Sequence, residues 1–222
     1  MKRGLTLQEI LLSLFGFVIL WAVVTDAWGY SSYLHASYGS YIYACLSRLI
    51  WVMSAIYLII RYSDSLNLSM NKLFSHPVLN KSFIIVLSAS FLLAFGIMLA
   101  NHEGFWINSE VNFPLDIIKF VAVGFVEETV FRGWGYNALA KVTTGKKAIV
   151  FSTVFFVLLH WPAYFIRLYC FGIFDYTALL TQSISAAIWG GVCCWLLKKG
   201  QTLWNPMIAH AVYDVLIVLF VG

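Results

Sequence analysis

Charge is what this chain has least of. Lysine, arginine, aspartate and glutamate make up 11% of its 222 residues, where a soluble domain carries about a quarter. With 61% hydrophobic residues, the composition excludes an ordinary water-soluble domain and reads as an integral membrane protein. The net charge of +4 gives no reason to expect a nucleic-acid partner, because the basic residues are spread over several loops, as membrane topology demands. The four cysteines, Cys45, Cys170, Cys193 and Cys194, have no zinc or redox spacing, and the adjacent pair is a poor disulfide candidate. They read as small apolar fillers. Two signatures of soluble hydrolases are missing. His102-Glu103 is followed by Gly104, Phe105 and Trp106, so there is no HExxH zinc motif, and no GxSxG nucleophile elbow occurs. Internal repeats and low-complexity segments are also absent.

What is present is a succession of apolar runs. Seven spans are expected at 7–25, 40–60, 82–100, 115–138, 148–166, 178–197 and 203–221, each near the ~20 residues needed to cross a bilayer. The predicted fold class is all-α: a polytopic membrane helical bundle forming a single domain over 1–222. A re-entrant eighth segment within 161–177 is the alternative. Thr6 and Glu9 have the spacing of a capping box, Pro114 falls at the first turn of the fourth span, Pro162 ends or kinks the fifth, and Asn205-Pro206 opens the seventh. Residues 62–81, the longest polar stretch, read as a loop with a short interfacial helix through Leu66, Met70 and Leu73. Basic residues cluster in alternate loops. Lys2 and Arg3 precede the first span; Arg61, Lys72 and Lys81 follow the second; Lys141, Lys146 and Lys147 follow the fourth; Lys198 and Lys199 follow the sixth. The positive-inside rule then places the N-terminus in the cytoplasm, in a membrane expected to be a bacterial plasma membrane. The first apolar run continues to Trp28 without a small-residue cleavage site, so a retained helix is expected.

Three patches of ionisable groups lie inside these spans, each group costing about 2.5–3.5 kcal/mol at a bilayer centre on insertion scales. They are Glu127, Glu128 and Arg132 in GFVEETVFRGW, His160 in FFVLLHW, and His210 with Asp214 in IAHAVYD. Their cost is offset if they share a polar cavity. On an α-helix Glu128 and Arg132 lie on one face, with Glu127 turned about 100° away. This spacing assigns Glu128 to a pair with Arg132 and Glu127 to the cavity. Phe156, one turn before His160, is placed to wall a pocket. His210 and Asp214 share a face. A glutamate and a histidine can activate water, and a second histidine can stabilise an oxyanion. Glu127, His160 and His210 could equally bind zinc with a water in the fourth position.

The motifs EExxxR (Glu127 to Arg132), FxxxH (Phe156 to His160) and HxxxD (His210 to Asp214), in this order over 120–222, resemble the CAAX protease and bacteriocin-processing family, also called the Abi family, of intramembrane endopeptidases. The resemblance implies a cavity open to the cytoplasm, in which Glu127 with His160 activates a water and His210 with residue 214 forms the oxyanion hole. Glu128, Arg132 and Phe156 would support that site. It further implies a peptide or lipid-modified peptide end as substrate and a glutamate mechanism without a resident metal, with zinc as the alternative. This chain has Asp214 where an asparagine could donate to an oxyanion, so Asp214 is expected to orient His210. The competing classes are a non-catalytic bacteriocin-immunity or peptide-binding protein and a proton-coupled transporter. The sequence carries no signal for the oligomeric state.

Overall fold

The computed structural model describes residues 4–23, 39–112 and 114–221, with residues 39–44 described by backbone alone. Regular structure among the described residues is entirely helical. The α-helices are α1 (Leu7–Trp21), α2 (Gly39–Arg61), α3 (Met70–Leu73), α4 (Lys81–Asn101), α5 (Leu115–Glu128), α6 (Asn137–Val142), α7 (Gly145–Phe171), α8 (Tyr176–Gly200) and α9 (Trp204–Phe220). A 3-10 turn covers Ser63–Ser65, and a π-helix covers Thr129–Tyr136. Helix occupies the described part of every expected span except residues 203 and 221 at the two ends of the seventh; residues 24 and 25 of the first fall outside the described residues. By length and composition α4, α7 and α8 are long and apolar enough to cross a membrane, while α1 and α9 are shorter apolar helices.

Local chemistry sets several helix ends. Thr6 caps α1 in a reciprocal box: its hydroxyl accepts from the Glu9 N–H, and Glu9 Oε2 accepts from the Thr6 N–H at 2.9 Å. Asn80 and Thr144 cap α4 and α7 by accepting from Phe83 N–H and Lys147 N–H. Pro114 stands just before α5, and its carbonyl accepts from Ile118.

Three expectations are corrected. Residues 115–138 are not one α-helix: the winding changes from α to π at Thr129. The segment from there to Tyr136 is fully buried and holds Gly133 and Gly135. A Cβ on Gly135 would come 2.8 Å from the end of the Leu14 side chain, which would have to shift to admit it. Pro162 does not end α7, which runs on to Phe171 and stops at Gly172 in the left-handed conformation (φ 67°). Residues 161–171 therefore continue α7 rather than start a re-entrant segment. The expected interfacial helix is only the single turn α3, and Leu66 and Leu73 are buried in protein rather than laid on a surface.

The chain divides into two compact units. The first holds the described residues of Met1–Met70 with Thr129–Gly191. Its core joins Ile10 and Leu14 of α1, Trp51 and Ala55 of α2, Phe131 and Trp134 of the π-helix and Phe156 of α7. Trp51 donates its indole N–H to the Phe17 carbonyl at 3.1 Å, and Trp134 donates to the Ser13 hydroxyl at 2.8 Å. Buried Asn137 acts as a two-sided clamp, accepting from Leu68 N–H at 2.7 Å and donating to Leu68 O at 3.0 Å.

The second unit holds Asn71–Glu128 and Val192–Gly222. Here α9 packs along both α4 and α5. Asn205 repeats the clamp on Val78, at 2.9 Å and 2.8 Å, and the Thr202 hydroxyl donates to Ser75 O at 2.8 Å. These bonds satisfy backbone groups of the 71–80 connection that would otherwise be left without partners.

Candidate active site

The second unit brings together Glu127, Glu128, His210 and Asp214. The two glutamates end α5, and the histidine and aspartate lie on α9. Gly124 explains how the helices approach: a Cβ there would stand 2.9 Å from Ala211 N and 3.0 Å from Met207 O, so only glycine permits this backbone contact. One turn further on, the carboxylates of α5 meet the imidazole of α9. His210 Nδ1 and Glu128 Oε1 are 2.9 Å apart, a charge-assisted hydrogen-bond distance in which the ring N–H donates to the carboxylate. Both side chains are buried, Glu128 completely.

With Nδ1 so engaged, Nε2 is the edge of the ring available to other groups. It lies 3.9 Å from Glu127 Oε2 and 3.6 Å from Asp214 Oδ2. Both separations exceed a direct N–H···O bond. The ring is thus fixed at one nitrogen while the other faces two carboxylates at distances that do not fix it. Sequence spacing paired His210 with Asp214. The structure adds Glu128 from another helix as its nearest carboxylate, a contact that no local spacing could reveal.

The first unit brings together Arg132, Phe156 and His160. Arg132 is completely buried in the π-helix, and its guanidinium carbon lies 4.2 Å from the Phe156 ring centroid, a cation–π contact in a desolvated setting. Phe156 stands edge-on to Phe131 at 5.3 Å and to His160 at 5.2 Å. His160 Nδ1 lies 2.9 Å from the Phe156 carbonyl. A carbonyl only accepts, so Nδ1 carries the proton, and Nε2 of the neutral ring is an acceptor. His160 lines a cavity of about 270 Å3 with Trp21, Leu159, Ala163, Tyr164, Arg167 and Gln182. The four-residue step from Phe156 to His160 thus supplies both a wall and a hydrogen-bond acceptor.

Among the described residues no three His, Cys, Asp or Glu side chains are grouped to hold a metal ion. Sequence reasoning also missed Gly124 and Asn137, and it named Asn205 only as the start of the seventh span, not as a clamp on Val78. A glycine or a single amide in an apolar run was the available signal, but it does not name a partner.

No curated protein and no solved structure matches the chain. A family model does: residues 109–216 match the type II CAAX prenyl endopeptidase Rce1-like family, which lies within the CAAX protease and bacteriocin-processing family. The match runs through EExxxR, FxxxH and HxxxD, and the family with the apolar helices fits an integral membrane protease. The matched segment from 109 to 216 carries all seven candidate residues and is similar in sequence to the Rce1-like type II CAAX prenyl endopeptidases.

Proposed function

We propose that this protein is an intramembrane endopeptidase of the glutamate type, with Glu127 as general base and His210 as oxyanion donor. The observation that carries the reading is the pinned imidazole: Glu128 holds Nδ1 at 2.9 Å, while Nε2 faces Glu127 and Asp214. Glu127 takes a proton from a water as its oxygen attacks the peptide carbonyl. The Nε2–H of a doubly protonated His210 donates to the oxygen that becomes negative. Collapse of the tetrahedral intermediate breaks the C–N bond, and Glu127 returns the proton to the leaving amine. Pre-aimed donors of this kind contribute about 2.7–4 kcal/mol each. His160, with its Nε2 acceptor, is assigned a share in activating water, and Asp214 keeps the His210 ring in line.

The substrate is a peptide precursor or a lipid-modified peptide end, cleaved near the cytoplasmic face of a bacterial plasma membrane. Seven crossings with a cytoplasmic N-terminus accord with the loop charges and with the helix order.

The test is cleavage of a membrane-peptide library by the purified protein beside Glu127→Gln and His160→Ala, each with and without a strong chelator. Loss of cleavage in Glu127→Gln, with wild-type cleavage unaffected by chelator, is the expected result. Loss on chelation would replace the glutamate mechanism with a metal one. Equal cleavage by Glu127→Gln would remove Glu127 from the chemistry.

A further inference from the structure

The cavity lined by His160 holds a charge that the proposed chemistry does not use. Arg167 lines it as well. It is the only Asp, Glu, Lys or Arg in α7 after Lys147, in a helix long and apolar enough to cross a membrane. An arginine in such a segment is costly, and its presence there points to a function.

Helix geometry brings it to the cavity. His160, Ala163, Tyr164 and Arg167 follow the i, i+3, i+4, i+7 spacing of one helix face. Arg167 stands roughly 10 Å along the axis from His160. Ala163 between them is small, and α8 contributes the amide of Gln182 to the same space.

Three features narrow the occupant. The first is sign. Arg167 is permanently cationic, and among the described residues no carboxylate lines the cavity. The second is bonding capacity. Among the described residues the side chains of Arg167 and Gln182 make no hydrogen bond or ion pair, so the five guanidinium N–H donors and the amide are left for a ligand. The third is size. About 270 Å3 falls just short of the roughly 300–1,000 Å3 of small-molecule sites, which suits one side chain or a chain end and not a whole lipid. A guanidinium fork matches a carboxylate with two parallel N–H···O bonds. The apolar walls of Trp21 and Leu159 make that pair stronger than it would be in open water.

We propose that this cavity is a specificity pocket that binds a carboxylate of the substrate peptide, from an acidic side chain or the chain end, on Arg167 with Gln182 as second donor. Acidic peptides are then selected over neutral and basic ones. The substrate role rests on the peptidase reading, because His160 ties the cavity to the chemistry.

The experiment reads binding apart from cleavage. Short dansylated Leu/Val peptides carry one glutamate, glutamine or lysine at each position in turn and end in an amide; a glutamine peptide with a free acid end is the second arm. Each is titrated in the cold against the full detergent-purified chain by fluorescence anisotropy, and cleavage is followed separately by mass spectrometry. The glutamate peptide or the free-acid peptide should bind roughly tenfold more tightly than the glutamine amide. Which of them does so separates side chain from chain end. Arg167→Gln should abolish the preference and leave the neutral peptide's affinity as it was. Arg167→Lys, with the charge but not the fork, should keep part of it, and Gln182→Ala should reduce it less than Arg167→Gln does. Lys146→Gln, outside the cavity lining, should change nothing. Where peptides are cleaved, Arg167→Gln should raise KM for the acidic one and spare kcat. Because Arg167 is exposed, its variants should keep the wild-type unfolding midpoint; if Arg167→Gln does not, the preference must return in Arg167→Lys.

Equal binding of acidic and neutral peptides, a preference that survives Arg167→Gln, or displacement of the acidic peptide by a short-chain phosphatidylglycerol would each overturn the proposal. Acid-selective binding without any cleavage would instead remove the peptidase reading and keep the carboxylate pocket. Cleavage without acid selection would do the reverse.

Discussion

The two motif histidines are held in opposite ways. His160 in the first unit is oriented by its own helix: its Nδ1 partner is the carbonyl of Phe156, one turn back. His210 in the second unit is oriented by another helix: its Nδ1 partner is Glu128 at the end of α5. The first arrangement persists wherever α7 remains helical. The second holds only while α5 and α9 touch, and that contact depends on Gly124. Local geometry thus provides one imidazole and tertiary packing the other, and the packed one can be broken by a single side-chain change.

The largest effect is therefore expected at Glu128. Glu128→Ala removes the acceptor from a buried imidazole N–H and should cost about 3–5 kcal/mol, as breaking buried pairs does. Unfolding in detergent and peptidase activity should both collapse. Glu128→Gln keeps an oxygen acceptor and should recover most of the stability. No side-chain substitution can do the same to His160, whose acceptor belongs to the backbone. A Glu128→Ala variant as stable and active as wild type would end the contrast.

Next comes the contact beneath the pair. Gly124→Val places a branched side chain where even a Cβ would sit 2.9 Å from Ala211 N. Overpacking of this kind costs about 1–3 kcal/mol. Activity should fall further than stability does, because α9 must move and carries His210 with it. The readout is the ratio of the two losses; a variant that loses stability alone would show that the helix contact does not position the ring.

Phe156→Leu tests the locally held histidine. The carbonyl remains, so the ring of His160 keeps its orientation. The edge-on contacts with Phe131 and His160 and the cation–π contact with Arg132 are lost, at about 1–2 kcal/mol. Stability should drop while cleavage falls by less than about tenfold. A cleavage loss as deep as that of Glu128→Ala would mean that the aromatic wall, and not the backbone bond, sets His160.

The same division explains what the sequence disclosed. Helix positions followed from apolar runs and caps: Thr6 with Glu9 marks the start of α1 through chemistry confined to four residues. The FxxxH step was legible because both partners are on α7. What the sequence hid involves partners far apart along the chain. Glu128 and His210 are separated by 82 positions, and Asn137 meets Leu68 across 69. Neither residue type says which distant group it will meet. The change to π-helix at Thr129 was hidden for another reason: the hydrophobic pattern of 115–138 suits an α-helix, and only the close approach of Gly135 to Leu14 reveals how tightly that turn is packed.

The smallest effect is expected at Asp214, where local and tertiary control of His210 can be separated. Asp214 is the partner that spacing on α9 supplies, yet it stands 3.6 Å from Nε2 and is less buried than Glu128. Its link to the ring is that of a partly solvated pair and is worth about 0–1 kcal/mol. Asp214→Asn should leave unfolding within that range. It should retain or raise cleavage, because an amide can donate to an oxyanion and an ionised carboxylate cannot. Asp214→Ala, which has neither a donor nor an orienting acceptor, should cleave more slowly than both. If Asn is instead the inactive variant while Glu128→Gln stays active, the local carboxylate rather than the tertiary one governs His210. The two histidines would then be held by the same kind of contact, each from within its own helix.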